Sequence, residues 1–365
     1  MALDPRERSQ WFDCIRSEVL TSTRSPSCES LLRIKMKIVI TDHRFPNVDQ
    51  ERRAVESSGG ELVVGQVTEE SPLVELCGEA DGVLAVRAPI TRRVIASMRR
   101  CRIIVRYGIG IDNIDIPAAT ECGIMVANVP DYCVDEVSDH TLTLLLMLSR
   151  QVISATSLAK QERWSMANMP GLHRLRGQTC GLLGAGKIGT LLAHKVAALG
   201  MQVITYDPYL EENRAKASGM KKVPLDDLLS GSDFLSVHAP LTPETRHILT
   251  SASFDKMKDG AFVINTARGG LIDEDALMAA IDRGKIAGAA LDVLESESAV
   301  TPLRSALVNH PRIIVTAHTA WLSEEARRTL QERAIAQVIA CLRGEKPYGL
   351  LNPAAIRSRE LANQN

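Results

Sequence analysis

The stretch GLLGAGKIG, residues 181–189, is preceded by the strand-like run TCGLL and followed by LLAHKVAAL, which has helical spacing. A G-x-G-x-x-G run in that strand-to-helix setting is a phosphate cradle. In Gly184-Ala185-Gly186-Lys187-Ile188-Gly189 the first glycine permits a tight turn, the second lets the backbone approach a pyrophosphate, and the third allows the helix to pack closely on the strand. Amides at the helix N-terminus then face the anion. The motif opens a doubly wound dinucleotide-binding fold, yet about half of the 365 residues come before it.

Those earlier residues carry an α/β series of their own. From Lys37, the β-branched runs KIVIT (37–41), ELVVGQV (61–67), DGVLAV (81–86), RIIVR (102–106) and IMVAN (124–128) alternate with amphipathic segments, predicting a parallel sheet of five strands. A long helical stretch over 131–162, around TLTLLLML, reads as a spacer helix or helix pair. Six further runs follow: 179–183, 202–206, 233–237, 261–265, 287–292 and 312–317. The helical segment 323–343 has no strand after it and is free to cross back onto the first domain. The expected architecture is α/β with two doubly wound parallel sheets. A Rossmann NAD-binding domain (131–318) is inserted in a flavodoxin-like substrate domain (36–130 and 319–353).

Residues 1–35, rich in Ser and Arg but interrupted by acidic residues, read as a poorly ordered extension with Met36 as an alternative start. A charge of −1 from 43 basic and 44 acidic residues, without a basic stripe, argues against a nucleic-acid partner and for a small molecule. Eight cysteines without a C-x-x-C pair read as reduced core thiols and a cytoplasmic setting. TLTLLLML at 141–148 is too short to span a bilayer, and no metal site is expected.

The strand after the cradle ends in Asp207, where a carboxylate accepts hydrogen bonds from ribose hydroxyls and repels a 2′-phosphate, so NAD is the expected cofactor. Three polar residues stand at or just past the C-terminal ends of strands, the edge where open α/β sheets bind ligands: Arg268, Glu297 and His318. An arginine grips a carboxylate, a histidine moves one proton near neutral pH, and a glutamate orients the imidazole. The set suits hydride transfer at a hydroxyl next to a carboxylate. Taken singly, the three also read as a loop cation, part of the acidic run ESES, and a capping residue. His140 reads as a partly buried helix residue.

GLLGAGKIG, YDPY, VHAPLTPET, NTARGGLIDEDAL, GAALDVLESE and HTAW, in this order, resemble the D-2-hydroxyacid dehydrogenases, over about residues 36–353. RYGIGIDNIDI and HTAWLSEEA are most similar to the branch containing the C-terminal-binding-protein corepressors and bacterial relatives. The resemblance implies Arg268 as ligand of the substrate and its carbonyl, Glu297 as partner of the histidine, and His318 as proton donor or acceptor. It implies the amides of Ile109 and Gly110 at the substrate carboxylate, with Arg106 and Trp321 lining the pocket. For the cofactor it implies Leu183, Gly184, Ala185, Gly186, Lys187, Ile188, Gly189, Asp207, His238, Ala239, Pro240, Thr245, Thr266, Ala267 and Asp292. It also implies a homodimer through the helices around 131–160.

Two positions depart from the family pattern, which commonly has proline where this chain has Ser298 and Ala317; without proline, φ is less restricted beside Glu297 and His318. Tyr107 is bulkier than the usual aliphatic residue. The function expected is an NAD-dependent oxidoreductase interconverting a D-2-hydroxy acid and its 2-oxo acid. The alternative is an NAD(H)-responsive interaction protein like the corepressors.

Overall fold

The computed structural model describes residues 36–164, 171–297 and 299–362; the proposed extension 1–35 and the departure at Ser298 lie outside them. The first sheet is built from β1 (Lys37–Ile40), β2 (Glu61–Val64), β3 (Gly82–Ala85), β4 (Ile103–Arg106) and β5 (Met125–Ala127). Its order is β2-β1-β3-β4-β5, every pair parallel. Parallel strands covered on both faces need no polar alternation, and β3 is accordingly buried at all four positions.

The second sheet comprises β6 (Thr179–Leu183), β7 (Gln202–Tyr206), β8 (Lys221–Lys222), β9 (Phe234–Val237), β10 (Ala261–Asn265), β11 (Ile286–Leu291) and β12 (Ile313–Val315). Its order is β12-β11-β10-β9-β6-β7-β8, which reverses direction beside β6. That reversal is the topological switch point, and it puts the glycine-rich loop at the mouth of the crevice. The sheet has seven strands where the sequence pattern predicts six. The additional strand, β8, is a two-residue edge pairing with β7 and carries no apolar run.

The stretch 131–162 is a pair of helices, Val134–Ser149 and Val152–Lys160, bent by 59°. The break falls at Gln151, which adopts a left-handed φ of 48°. Among the described residues no single helix is long and apolar enough to cross a membrane; this bent pair together meets the length and composition. Seven residues of the first helix are buried in the core, including Leu144, Leu145 and Leu148.

After β12 the chain returns to the first sheet. The helix Glu324–Leu342 packs on the helix Asp49–Ser57 and on β3 and β4. Leu330, Ala334, Ile335, Val338 and Cys341, spaced as one helical face, join the cluster around Ile38, Ile40 and Val105. Tyr107 sits fully within this cluster, its ring edge-on to Phe45 at 5.0 Å. Its hydroxyl donates to Glu51 Oε1 at 2.9 Å, and Gln331 Nε2 from the returning helix donates to both Glu51 oxygens at 3.1 Å. Burial, then the charge of Glu51, raises the Tyr107 pKa well above its ordinary value, so the phenol remains a donor. The size of Tyr107 thus has a structural reason: a phenol reaches a buried carboxylate that an aliphatic side chain would leave short of a partner.

Candidate active site

The C-terminal ends of the strands of both sheets border one cleft of about 520 Å³. Arg106, Ile109, Gly110 and Trp321 line it from the side of the first sheet; Arg268 and His318 line it from the second. The cofactor-loop residues Gly186, Lys187, Ile188 and Gly189 form its floor with His238, Ala239, Pro240, Thr266, Ala267 and Asp292.

At the cradle, Gly184 has φ 96°, and a Cβ there would stand 2.9 Å from the Ala239 nitrogen, so both backbone and space demand glycine. A Cβ on Gly186 would meet nothing within 4 Å, which marks open space in front of the loop. The helix Lys187–Ala198 starts there with no side chain capping its first amides. An uncapped helix N-terminus beside an open cradle fits a pyrophosphate. Asp207, at the end of β7, accepts from Ala185 N at 3.0 Å and from Tyr209 N at 2.9 Å. Each oxygen keeps capacity for a ribose hydroxyl. The residues present therefore fit a dinucleotide with an unphosphorylated ribose.

Not every expected cofactor residue reaches the cleft. Leu183, Gly184, Ala185 and Asp207 are not among its lining residues. The Thr245 hydroxyl donates to Pro240 O at 2.7 Å and accepts from Thr242 N at 2.7 Å, closing its own loop, while Thr242 faces the cleft. The His238 ring shares a 2.8 Å hydrogen bond with Ser236, and burial depresses its pKa to about 4, so it stays neutral.

Two guanidinium groups meet in the cleft, one from each side. Arg268 Nε donates to Asp112 at 2.6 Å and Nη1 to Ala267 O at 2.8 Å, whereas Nη2 has no protein partner among the described residues. A Cβ on Gly110 would lie only 1.3 Å from that Nη2, so the absence of a side chain at 110 is what admits the arginine. Arg106 Nη1 donates to Tyr107 O at 2.8 Å, and its Nε is buried without a partner. Burial and then the charge of Arg268 lower the Arg106 pKa. Two cations that disfavour each other, with free donors and the unpaired amides of Ile109 and Gly110 between them among the described residues, make a site for an anion.

His318 has a left-handed φ of 56°, a conformation costing a non-glycine residue roughly 1 kcal/mol. Asp292 holds it there. His318 N donates to Asp292 O at 2.8 Å, and the Asp292 carboxylate accepts from Thr319 N and Ala320 N at 2.9 Å each and from the Thr316 hydroxyl at 2.6 Å. His140, on the helix Val134–Ser149, joins by a 3.1 Å hydrogen bond to Thr316. With Ala317 in place of proline, the turn is fixed by this carboxylate. Nδ1 of His318 contacts Glu297 Oε1 and Oε2 at 2.8 and 2.9 Å, which leaves Nε2 for the cleft. Burial pushes the Glu297 carboxyl up, but the His318 hydrogen bond and charge, then Arg87 and Arg44, outweigh it and hold the carboxyl below its usual value.

The comparisons with known proteins bear on the fold, the family and the cofactor. Residues 142–320 match the model of the D-isomer specific 2-hydroxyacid dehydrogenase, NAD binding domain. The chain is 37% identical over 329 residues to the D-3-phosphoglycerate dehydrogenase of Methanocaldococcus jannaschii, covering 89% of this chain and 61% of that protein. It is 33% identical to the D-3-phosphoglycerate dehydrogenase of Rattus norvegicus, covering 88% of this chain and 59% of the relative. It therefore spans about six-tenths of the length of these relatives. The structure of D-lactate dehydrogenase from Aquifex aeolicus complexed with NAD and lactic acid superposes with a TM-score of 0.79 at 28% identity, covering 84% of this chain and 96% of that one. The chain belongs to the D-isomer-specific 2-hydroxyacid dehydrogenase family. Its seven-stranded half is an NAD-binding domain of that family.

Proposed function

We propose that the protein interconverts a D-2-hydroxy acid and its 2-oxo acid with NAD(H). The observation that carries this reading is the meeting, in one cleft beside the dinucleotide cradle, of a guanidinium pair and a glutamate-held histidine. When bound, NAD(H) supplies hydride chemistry at the substrate's C2. The substrate carboxylate lies between Arg106, Arg268 and the amides of Ile109 and Gly110, and Arg268 Nη2 also polarises the C2 oxygen. His318 Nε2 gives its proton to that oxygen during reduction and takes it back during oxidation, while Glu297 stabilises the imidazolium. Since the carboxylate is common to all such acids, the polar groups leave the side chain of the substrate to the apolar wall. A panel of 2-oxo acids offered with NADH tests the proposal, and failure to reduce any of them would overturn it. No observation favours the interaction-protein alternative.

Asp207 supports a preference for NAD(H) over NADP(H). Asp207→Ala is expected to narrow that preference by about tenfold or more, because the carboxylate no longer repels a 2′-phosphate. Titrating both cofactors into wild type and variant measures it, and equal affinities in wild type would remove the argument.

Trp321 lines the cleft and packs against Tyr132 at 6.0 Å between ring centroids. Trp321→Ala is expected to lower kcat/KM about tenfold or more for 2-oxo acids with bulky apolar side chains and little for glyoxylate. A uniform loss across all substrates, with lowered thermal stability, would instead assign the indole to packing.

We also infer a homodimer through the helices around 131–160. The helix Val152–Lys160 buries none of its residues and exposes Val152 and Ile153 by 41% and 51%. Light scattering that finds a monomer at micromolar concentration would reject it.

A further inference from the structure

Arg87 follows β3 of the first sheet, and Glu297 follows β11 of the second. Arg87 Nη2 nonetheless donates to Glu297 Oε2 at 2.8 Å, on the same carboxylate that takes His318 Nδ1. The contact is prepared from beneath. Asp42, buried at the end of β1, accepts the amides of Val86, Arg87 and Ala88 at 3.0, 2.7 and 3.3 Å and the Thr41 hydroxyl at 2.9 Å. A carboxylate gripping three successive amides fixes the turn, so Arg87 leaves it in one direction. The side chains of Arg87 and Glu297 are 34% and 27% exposed, which shields the pair only in part.

One carboxylate thus serves two cations, of which only the imidazolium can lose its charge. We propose that Arg87 is a positioning residue that shares Glu297 with His318 across the cleft and thereby keeps the imidazole free to release its proton. Resting on the assignment of His318 as proton carrier, this adds an opposing partner to it. Without Arg87, Glu297 would favour the imidazolium unopposed. The charged groups facing the pair come from several elements. Arg44 lies beside Arg87 on the first-sheet side with Asp42 behind it, and Arg304 Nη1 donates to the Glu297 carbonyl at 3.1 Å. Asp292 lies under the His318 turn with His140 3.7 Å away, and Arg106 and Arg268 line the same cleft as His318. Glu297, held below its usual carboxyl value, stays anionic throughout the range in which an imidazole titrates.

The sign distinguishes this role from simple bracing. Arg87→Met is expected to raise the titration midpoint of His318 by about half to one pH unit, the effect of removing one partly screened charge nearby. Reduction needs the imidazolium, so its pH profile should extend to more alkaline values by the same amount. Glu297→Gln should move both in the opposite direction, and Arg87→Lys, which keeps the charge, should lie near wild type. The measurement is a proton-carbon NMR titration of the histidine rings in the protein without substrate or cofactor, with the His318 signal assigned by its loss in His318→Ala. A midpoint in Arg87→Met that is unchanged or lowered, in a variant whose amide spectrum shows it folded, overturns the proposal. Because the titration needs no turnover, a wild type that reduces no 2-oxo acid would reject the dehydrogenase reading while the titration still decides the role of Arg87.

Discussion

His318→Ala will lower kcat for 2-oxo acid reduction by roughly 10²–10⁴, the contribution of a positioned proton donor. KM should change little, because the guanidinium pair and the loop amides still hold the carboxylate. The imidazole has 29% of its side chain exposed, so its removal opens no deep cavity and thermal stability should stay close to that of wild type. Added imidazole should restore part of the rate, since Glu297 and Arg87 remain in place to receive it. Undiminished turnover in the variant would transfer the proton to another group.

Arg268→Ala will lower kcat/KM by about 10²–10³, and the loss will divide between the two constants. Nη2 is the donor free to meet both the ground-state carboxylate and the oxygen that gains charge as C2 is reduced, so KM rises and kcat falls. Asp112 loses its partner in the variant, but its side chain is 40% exposed and water replaces the guanidinium. Arg268→Lys should recover little, because a point charge cannot reproduce the planar fork. A rise in KM alone would confine Arg268 to binding. Steady-state kinetics over the same 2-oxo acid panel separates the cases.

These expectations use residues that the sequence exposes unequally. Strand cores such as GVLA and FLSV are legible because buried parallel strands are continuously apolar, and the glycine loop because a turn and a close approach admit no side chain. Arg268, Glu297 and His318 stand out by following strands, which puts them on one edge once the sheet forms. Arg87 follows a strand too, but nothing in the sequence pairs it with the glutamate. It is 210 residues from Glu297 and follows a strand of the other sheet, so only the folded chain brings them together. Asp112 is hidden for the same reason. The strand at Lys221–Lys222 escapes because it has no apolar run, and the helix pair is legible while the place of its break, Gln151, is not, because no glycine or proline marks it. Asp292 enters only through the family resemblance, as a cofactor residue, and its hold on the His318 turn is not legible, because most of its bonds come from backbone amides, which have no letter of their own.

The returning helix Glu324–Leu342 also sets an order of events during synthesis. All five strands of the first sheet leave the ribosome before β6, yet the helix that covers β3 and β4 and supplies Gln331 to Glu51 is made only after β12. Until then Tyr107 is the only partner that Glu51 keeps among the described residues, and the apolar face around Ile38 and Val105 has Phe45, Val48 and Val55 over it but lacks the side chains of the returning helix. Domains fold as they emerge, so the seven-stranded half can complete itself while the half begun first is still open. A chain truncated after residue 320 and released should therefore resist protease within 179–315 and be cut within 37–127.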